Sequence, residues 1–85
     1  MKEFSYTIKD KDGLHARPAG LIVRRLKEFQ SSVTLTCDDR SCDMKALIKL
    51  MSLAIKQGET VTITIDGKDE DECFEAIKAE MEERL

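Results

Sequence analysis

Three segments of this chain alternate polar and apolar residues, and this alternation limits the fold more than any other feature of the sequence. The segments read FSYTI, SSVTLTC and TVTITID. Because successive side chains of a strand point to opposite faces, each segment predicts a strand with one buried face. A sheet of such strands carries helices on one side and faces water on the other. The predicted inward residues are Phe4, Tyr6, Ile8, Val33, Leu35, Cys37, Val61, Ile63 and Ile65.

The intervening segments carry the helical period instead. The first helix begins near Ala16 or only at Pro18, because the residue before a proline avoids helical angles. A second helix is predicted over Lys45–Ile55 and ends before Gly58. The apolar face of the first helix is formed by Ala19, Ile22, Val23, Leu26 and Phe29.

A third helix is predicted after the turn at Asp66-Gly67. Asp69 and Glu72 resemble a capping box at its start. A hairpin turn at DDRS leads to one more short strand near Arg40–Asp43. The order is therefore strand, helix, strand, strand, helix, strand, helix. The predicted buried residues of the third helix are Phe74, Ile77 and Met81.

This order is compatible with two α+β architectures. One is an antiparallel sheet with all its helices on one face, and the other is a ferredoxin-like fold, in which the third helix is surplus. A chain of 85 residues is expected to form one domain over residues 1–85 with a single core. A domain of this size encloses no deep active site. Its chemistry is expected at the surface, with a partner protein supplying the other half.

Composition and charge exclude several classes of function. The formal charge is −3, with 11 Lys and Arg against 7 Asp and Glu in residues 1–56 and 3 against 10 in residues 57–85. Such a chain is a poor nonspecific nucleic-acid binder, although its basic part can attract a phosphate group or an acidic protein. Neither a targeting segment nor an apolar run of about 18 residues is present. An odd number of cysteines without metal-ligand spacing indicates a reducing compartment, the cytoplasm.

The segment DGLHARPAG holds the only histidine and the only proline of the chain. His15 stands at a helix start, where unpaired N–H groups and a partial positive charge favour an anion such as a phosphoryl group. The same field disfavours imidazolium, and a neutral ring nitrogen is a nucleophile. Arg17 adds a guanidinium that can hold phosphoryl oxygens. A carboxylate at Asp12 would act against phosphate if it lay close. The alternative is a histidine that only caps the helix or faces solvent.

The motif GLHARPAG, followed by MKALIKLMSLAIKQG and VTITIDG, resembles the HPr family over the whole chain. These proteins are the histidine phosphocarriers of the phosphoenolpyruvate-dependent sugar phosphotransferase system. The resemblance implies an open-faced β-sandwich, a four-stranded antiparallel sheet covered on one face by three helices. It implies that His15 takes a phosphoryl group on Nδ1 from phosphorylated enzyme I and passes it to IIA domains of sugar permeases. Arg17 then contacts the phosphoryl group. The family members have no cofactor or metal of their own and act as stoichiometric carriers, expected as monomers.

The second predicted helix is apolar around almost its whole circumference, more than an outer helix can bury. Leu50 and Leu53 are expected to face the core, which leaves an exposed apolar patch of the kind that marks a binding surface. In the resembling family this region docks the partner proteins beside the phosphohistidine. Basic residues around it would steer acidic partners. The expected docking residues are Leu47, Ile48, Met51, Arg24, Lys27 and Lys49.

The chain departs from the family at two positions of this helix. Ala46 stands where many relatives carry a regulatory serine, so that modification is not expected here. Ala54 stands where a glycine is common. Two other functions remain open on the sequence alone. One is a carrier in a regulatory phosphorelay, such as one controlling nitrogen metabolism. The other is a binding module that uses the apolar patch without accepting phosphate.

Overall fold

The alternating segments form one antiparallel sheet in the computed structural model, which describes residues 1–85. Its strands are β1 (Lys2–Thr7), β2 (Ser32–Cys37), β3 (Arg40–Asp43) and β4 (Thr60–Asp66). They lie in the order β1-β4-β2-β3, and all neighbouring pairs are antiparallel. A ferredoxin-like fold places its first strand inside the sheet, between two other strands. That alternative is excluded, because β1 is an edge strand whose only neighbour is β4.

The two faces of the sheet differ as the alternation predicts. The inward side chains of β2 and β4 are buried, and the other face is a polar surface in which Thr7 pairs with Thr60 at 2.9 Å and Ser5 with Thr62 at 3.3 Å. Such cross-strand hydroxyl pairs stabilise a sheet exposed to water. The edge strand β1 is less covered. Three aromatic side chains that were predicted to be buried are only half-buried. They are Phe4 and Tyr6 of β1, and Phe74.

Three helices cover the apolar face: α1 (Ala16–Leu26), α2 (Leu47–Ser52) and α3 (Glu70–Arg84). None of them has the length and apolar character needed to cross a bilayer. Helix α1 begins at Ala16, so Pro18 lies in its first turn, where a missing N–H is tolerated. Each helix contributes to one cluster of buried residues. The helical members of this cluster are Ala19, Ile22, Val23, Leu26, Leu50, Cys73, Ile77 and Met81.

The second helix is shorter than the predicted Lys45–Ile55. Before it, Asp43 accepts hydrogen bonds from the main-chain N–H groups of Lys45 and Ala46, which form a turn. After it, Ala54 adopts a φ of 52°, a left-handed angle that ends the helix. Ile55 is therefore buried from the segment that follows the helix rather than from a helix face. The apolar pattern continues past the helix end because this segment also packs on the core.

The predicted capping box at the start of α3 is wrong. The side chain of Asp69 makes no capping hydrogen bond; it accepts from the main-chain N–H groups of Gln30 at 2.8 Å and Ser31 at 2.9 Å and from the Ser31 hydroxyl. These donors, the Ser31 hydroxyl foremost, lower the pKa of Asp69. The carboxylate thus fastens the α1–β2 loop and supplies the partner that the fully buried Ser31 needs.

The cysteines do not form disulfides, and all three thiols are free. Cys37 is buried, as the alternation predicts; Cys73 is also buried, and Cys42 is half-buried. Burial raises the pKa of each thiol, which keeps the groups protonated and unreactive. They act as small core residues.

The left-handed angle at Ala54 predicts that Ala54→Gly stabilises the protein. A side chain in this conformation costs about 1 kcal/mol, which glycine avoids. The free energy of unfolding measured in urea should therefore rise by about that amount. Ala79→Gly is the matched control, because Ala79 lies inside α3, where glycine destabilises by about 0.5–1 kcal/mol. If both variants lose stability, Ala54 does not hold this angle in solution.

Candidate functional site

His15 occupies the N-cap position of α1, in an extended conformation with φ −106° and ψ 174°. Its ring makes no capping bond, and its side chain is 38% exposed. The main-chain N–H groups of Ala16 and Arg17 donate no hydrogen bond within the chain. The ring therefore stands beside two unpaired donors at the positive end of a helix dipole. An anion held at this position would satisfy both donors.

The loop before His15 is fastened to the segment that follows α2. The Leu14 N–H donates to the carbonyl of Ile55 at 3.0 Å. Gly13 has a φ of 69°, and a Cβ built on it would lie 2.4 Å from the same carbonyl oxygen. Only glycine fits this left-handed, close approach. The contact sets the position of His15 relative to the exit of α2.

A carboxylate faces the imidazole from within the same loop. The Oδ2 atom of Asp10 lies 3.5 Å from Nε2 of His15, and its Oδ1 accepts the Asp12 N–H at 2.8 Å. The Asp12 N–H, and after it the hydrogen bond to His15, lower the pKa of Asp10. One carboxylate oxygen thus holds the turn, while the other faces the ring.

An open cavity of about 290 Å³ adjoins the imidazole. Two guanidinium groups and two carboxylates line it, so their charges cancel. The guanidinium of Arg84 is already bound to Glu80 through Nε. The cavity is too shallow to exclude water by itself. It is lined by Asp10, His15, Arg17, Pro18, Leu21, Glu83 and Arg84.

The basic residues predicted around the site make different contacts from the other three arginines. Arg25, Arg40 and Arg84 are bound to carboxylates. In contrast, the predicted phosphate and docking cations form no ion pair within the chain and are exposed: Arg17, Arg24, Lys27 and Lys49. Their charge is therefore available to a partner.

The predicted apolar patch is only partly exposed. Ile48 is 82% exposed, whereas Leu47 and Met51 are half-buried. Leu50 faces the core as expected, and Leu53 is half-buried. Leu21 of α1 is 40% exposed, and α1 contacts α2. Exposed apolar side chains therefore occur on both helices that flank the site.

The sequence did not identify Asp10 or Leu21 as site residues, and it pointed to Asp12 as the carboxylate near His15. Asp12 does lie in the same cluster, because side-chain atoms of Asp10, Asp12 and His15 come within 4.8 Å of one another. Leu21 had a usable signal, because it is a large apolar residue outside the buried stripe of α1 and one helical turn after Arg17. Asp10 had no such signal in the sequence, because only the turn before Gly13 brings its carboxylate next to the ring.

Two groups of side chains have the residue types that metal ions use. Asp10, Asp12 and His15 form one, and its carboxylates lie at the surface, where acidic groups commonly occur without an ion. Cys37, Asp38 and Glu59 form the other, where the guanidinium of Arg40 already supplies the cation by binding Glu59 and Cys37. We assign a metal to neither group.

Known proteins resemble this chain over most of its length. The family model described as "PTS HPr component phosphorylation site" matches residues 2–83. Phosphocarrier protein HPr of Mycoplasma capricolum is 40% identical over 95% of this chain and 91% of its own. The solved structure of a histidine-containing phosphocarrier protein of Mycoplasma superposes with a TM-score of 0.94 at 38% identity, covering 96% of this chain and 93% of that one.

A further solved structure is the catabolite-repression protein Crh of Bacillus subtilis, described as a swapped, intertwined dimer. It is 36% identical, covers 100% of this chain and 98% of its own, and has a TM-score of 0.77.

The close approach at Gly13 predicts that Gly13→Ala disturbs the His15 loop. The added methyl group meets the main chain of Ile55 in a left-handed conformation, so unfolding free energy should fall by more than about 2 kcal/mol. Gly20→Ala is the control, because a Cβ there meets nothing within 4 Å. That change, inside α1, should stabilise by about 0.5–1 kcal/mol. Equal stability of the two variants in urea unfolding would contradict the contact.

Proposed function

The chain belongs to the HPr family of the phosphotransferase system, and we propose that it carries one phosphoryl group on Nδ1 of His15. The group comes from phosphorylated enzyme I and passes to IIA domains of sugar permeases. The observation that carries this proposal is the position of His15 beside the unpaired N–H groups of Ala16 and Arg17 at the start of α1.

The chemistry needs few groups from this chain. The lone pair of Nδ1 attacks phosphorus, and the bond from phosphorus to the donor breaks with its electron pair remaining on the donor. Phosphoryl oxygens then accept hydrogen bonds from the helix N-terminus and from the Arg17 guanidinium. Because the site is open, the partner supplies the cover that excludes water.

We further propose that partners dock on the exposed apolar side chains beside the site. Ile48 has the largest exposed fraction of the predicted patch, and Leu21 extends the apolar surface toward His15 through the shared cavity. The unpaired cations around it favour partners with an acidic face. The proposed docking residues are Leu47, Ile48, Met51, Arg24, Lys27 and Lys49.

The protein is accordingly proposed as a stoichiometric carrier rather than an enzyme, without a cofactor of its own. Its partners imply the cytoplasm as its compartment. We propose a monomer as the transferring form. The likeness to Crh favours one second candidate, a carrier or regulator in a catabolite-control relay. A regulatory serine at position 46 is not part of the proposal, since Ala46 has no hydroxyl group.

Incubation with enzyme I, Mg²⁺ and phosphoenolpyruvate should add one phosphoryl group to the intact protein. The adduct should survive alkaline mass analysis, disappear in acid and be absent from His15→Ala. Adding a IIA domain should then remove it. Absence of the adduct in the wild-type protein contradicts the carrier function. An adduct that no sugar-permease IIA domain removes favours the regulatory relay.

Ile48→Glu should slow this phosphorylation at low enzyme I concentration, because it places a charge in the apolar docking surface. Folding should be unaffected, since Ile48 is 82% exposed. Thr36→Glu is the control: Thr36 pairs with Ser41 and Thr62 on the opposite, open face of the sheet. Equal phosphorylation rates of the two variants would exclude Ile48 from the docking surface.

A further inference from the structure

We propose that Asp10 is a positioning residue that holds the proton of His15 on Nε2, so that Nδ1 presents its lone pair to phosphorus. The effect on phosphoryl transfer rests on the proposed function, whereas the tautomer is a property of the unphosphorylated protein. Two observations support the proposal: Asp10 Oδ2 contacts His15 Nε2, and a turn fixes Asp10.

The two carboxylate oxygens of Asp10 make different contacts. Oδ1 accepts the Asp12 N–H at 2.8 Å, which fixes the carboxylate in an Asx turn. Oδ2 then faces Nε2 of His15 at 3.5 Å, at the outer limit of a hydrogen bond. A carboxylate accepts but does not donate, so it favours the ring form that carries hydrogen on the nitrogen facing it. Catalytic hydrogen bonds are often long before the partner binds.

The carboxylate also matters after transfer. When the Nδ1–P bond forms, the proton on Nε2 stays in place and the ring gains positive character. The positive end of the α1 dipole and the Arg17 guanidinium oppose that charge at this site. Asp10 offsets them from the other side of the ring, and its partly covered carboxylate, 29% exposed, keeps this contact from being fully screened by water.

Asp10 can be separated experimentally from a merely structural role. In Asp10→Asn, the amide oxygen can still accept the Asp12 N–H, but the NH₂ group that replaces Oδ2 cannot accept from His15. Asp10→Ser retains a hydroxyl acceptor for the turn and is too short to reach the ring. The matched control is Asp39→Asn, because Asp39 is exposed and its side chain makes neither a hydrogen bond nor an ion pair.

The test is the ¹⁵N spectrum of the neutral histidine ring in the unphosphorylated protein. His15 is the only histidine, so long-range ¹H–¹⁵N correlations report one ring. The wild-type protein and Asp39→Asn should carry the proton on Nε2. The fraction with the proton on Nδ1 should rise by about twofold or more in both Asp10 variants. An unchanged tautomer in both overturns the proposal, whether or not the protein is ever phosphorylated.

A kinetic readout then tests the consequence. The maximal rate of phosphorylation by enzyme I should fall by about three- to tenfold in the Asp10 variants, the effect expected from loss of one ordinary hydrogen bond. The enzyme I concentration at half-maximal rate should change less than the maximal rate, since Asp10 is not one of the proposed docking residues. A changed tautomer with an unchanged rate overturns the role in transfer. No phosphorylation of the wild-type protein defeats the carrier function instead, and the tautomer result stands separately.

Discussion

The geometry of the site depends on the contact between the loop at Gly13 and the carbonyl of Ile55. This contact joins the chain entering α1 to the chain leaving α2, and both helices carry the exposed groups proposed for function. Two left-handed residues make it possible. Gly13 allows the close approach, and Ala54 ends α2 early enough for Ile55 to turn toward the loop. The core beneath is a rigid apolar layer, so this buried contact decides where His15 lies.

The site contains few functional groups, which suits a carrier. It has one nucleophile, one free arginine and a helix N-terminus, and its cavity is open and balanced in charge. A group that must be accepted and then released is held by modest interactions, because tight binding of the phosphorylated state would slow its transfer. In the proposed function, a partner would complete the site by covering it. The sheet contributes stability on the opposite side and leaves the helical surface free for this proposed docking.

Much of the fold follows from the sequence, because alternation and helical spacing are local consequences of burial. The strands, most of their inward faces and the place of His15 at the start of α1 could be predicted in this way. The roles of His15 and Arg17 in phosphoryl transfer were expected from the family resemblance instead. The end of α2 could not, since the φ angle of Ala54 leaves no trace in the apolar pattern. Asp69 has the sequence position of a helix cap, but its donors come from a distant loop. Asp10 reaches His15 only because the turn between them closes. The first and third features depend on backbone angles in a turn, and the second depends on a contact distant in sequence. Residue spacing encodes none of them.

The acceptor site is tested most directly by the NMR spectrum of the phosphorylated, ¹⁵N-labelled protein. We expect phosphorus bonded to Nδ1 of His15, with the proton retained on Nε2. We also expect downfield shifts of the main-chain amide protons of Ala16 and Arg17, because their unpaired N–H groups then donate to phosphoryl oxygens. Phosphorus on Nε2, or unchanged amide signals at the start of α1, would contradict the claim that the helix N-terminus and the oriented ring together form the acceptor site.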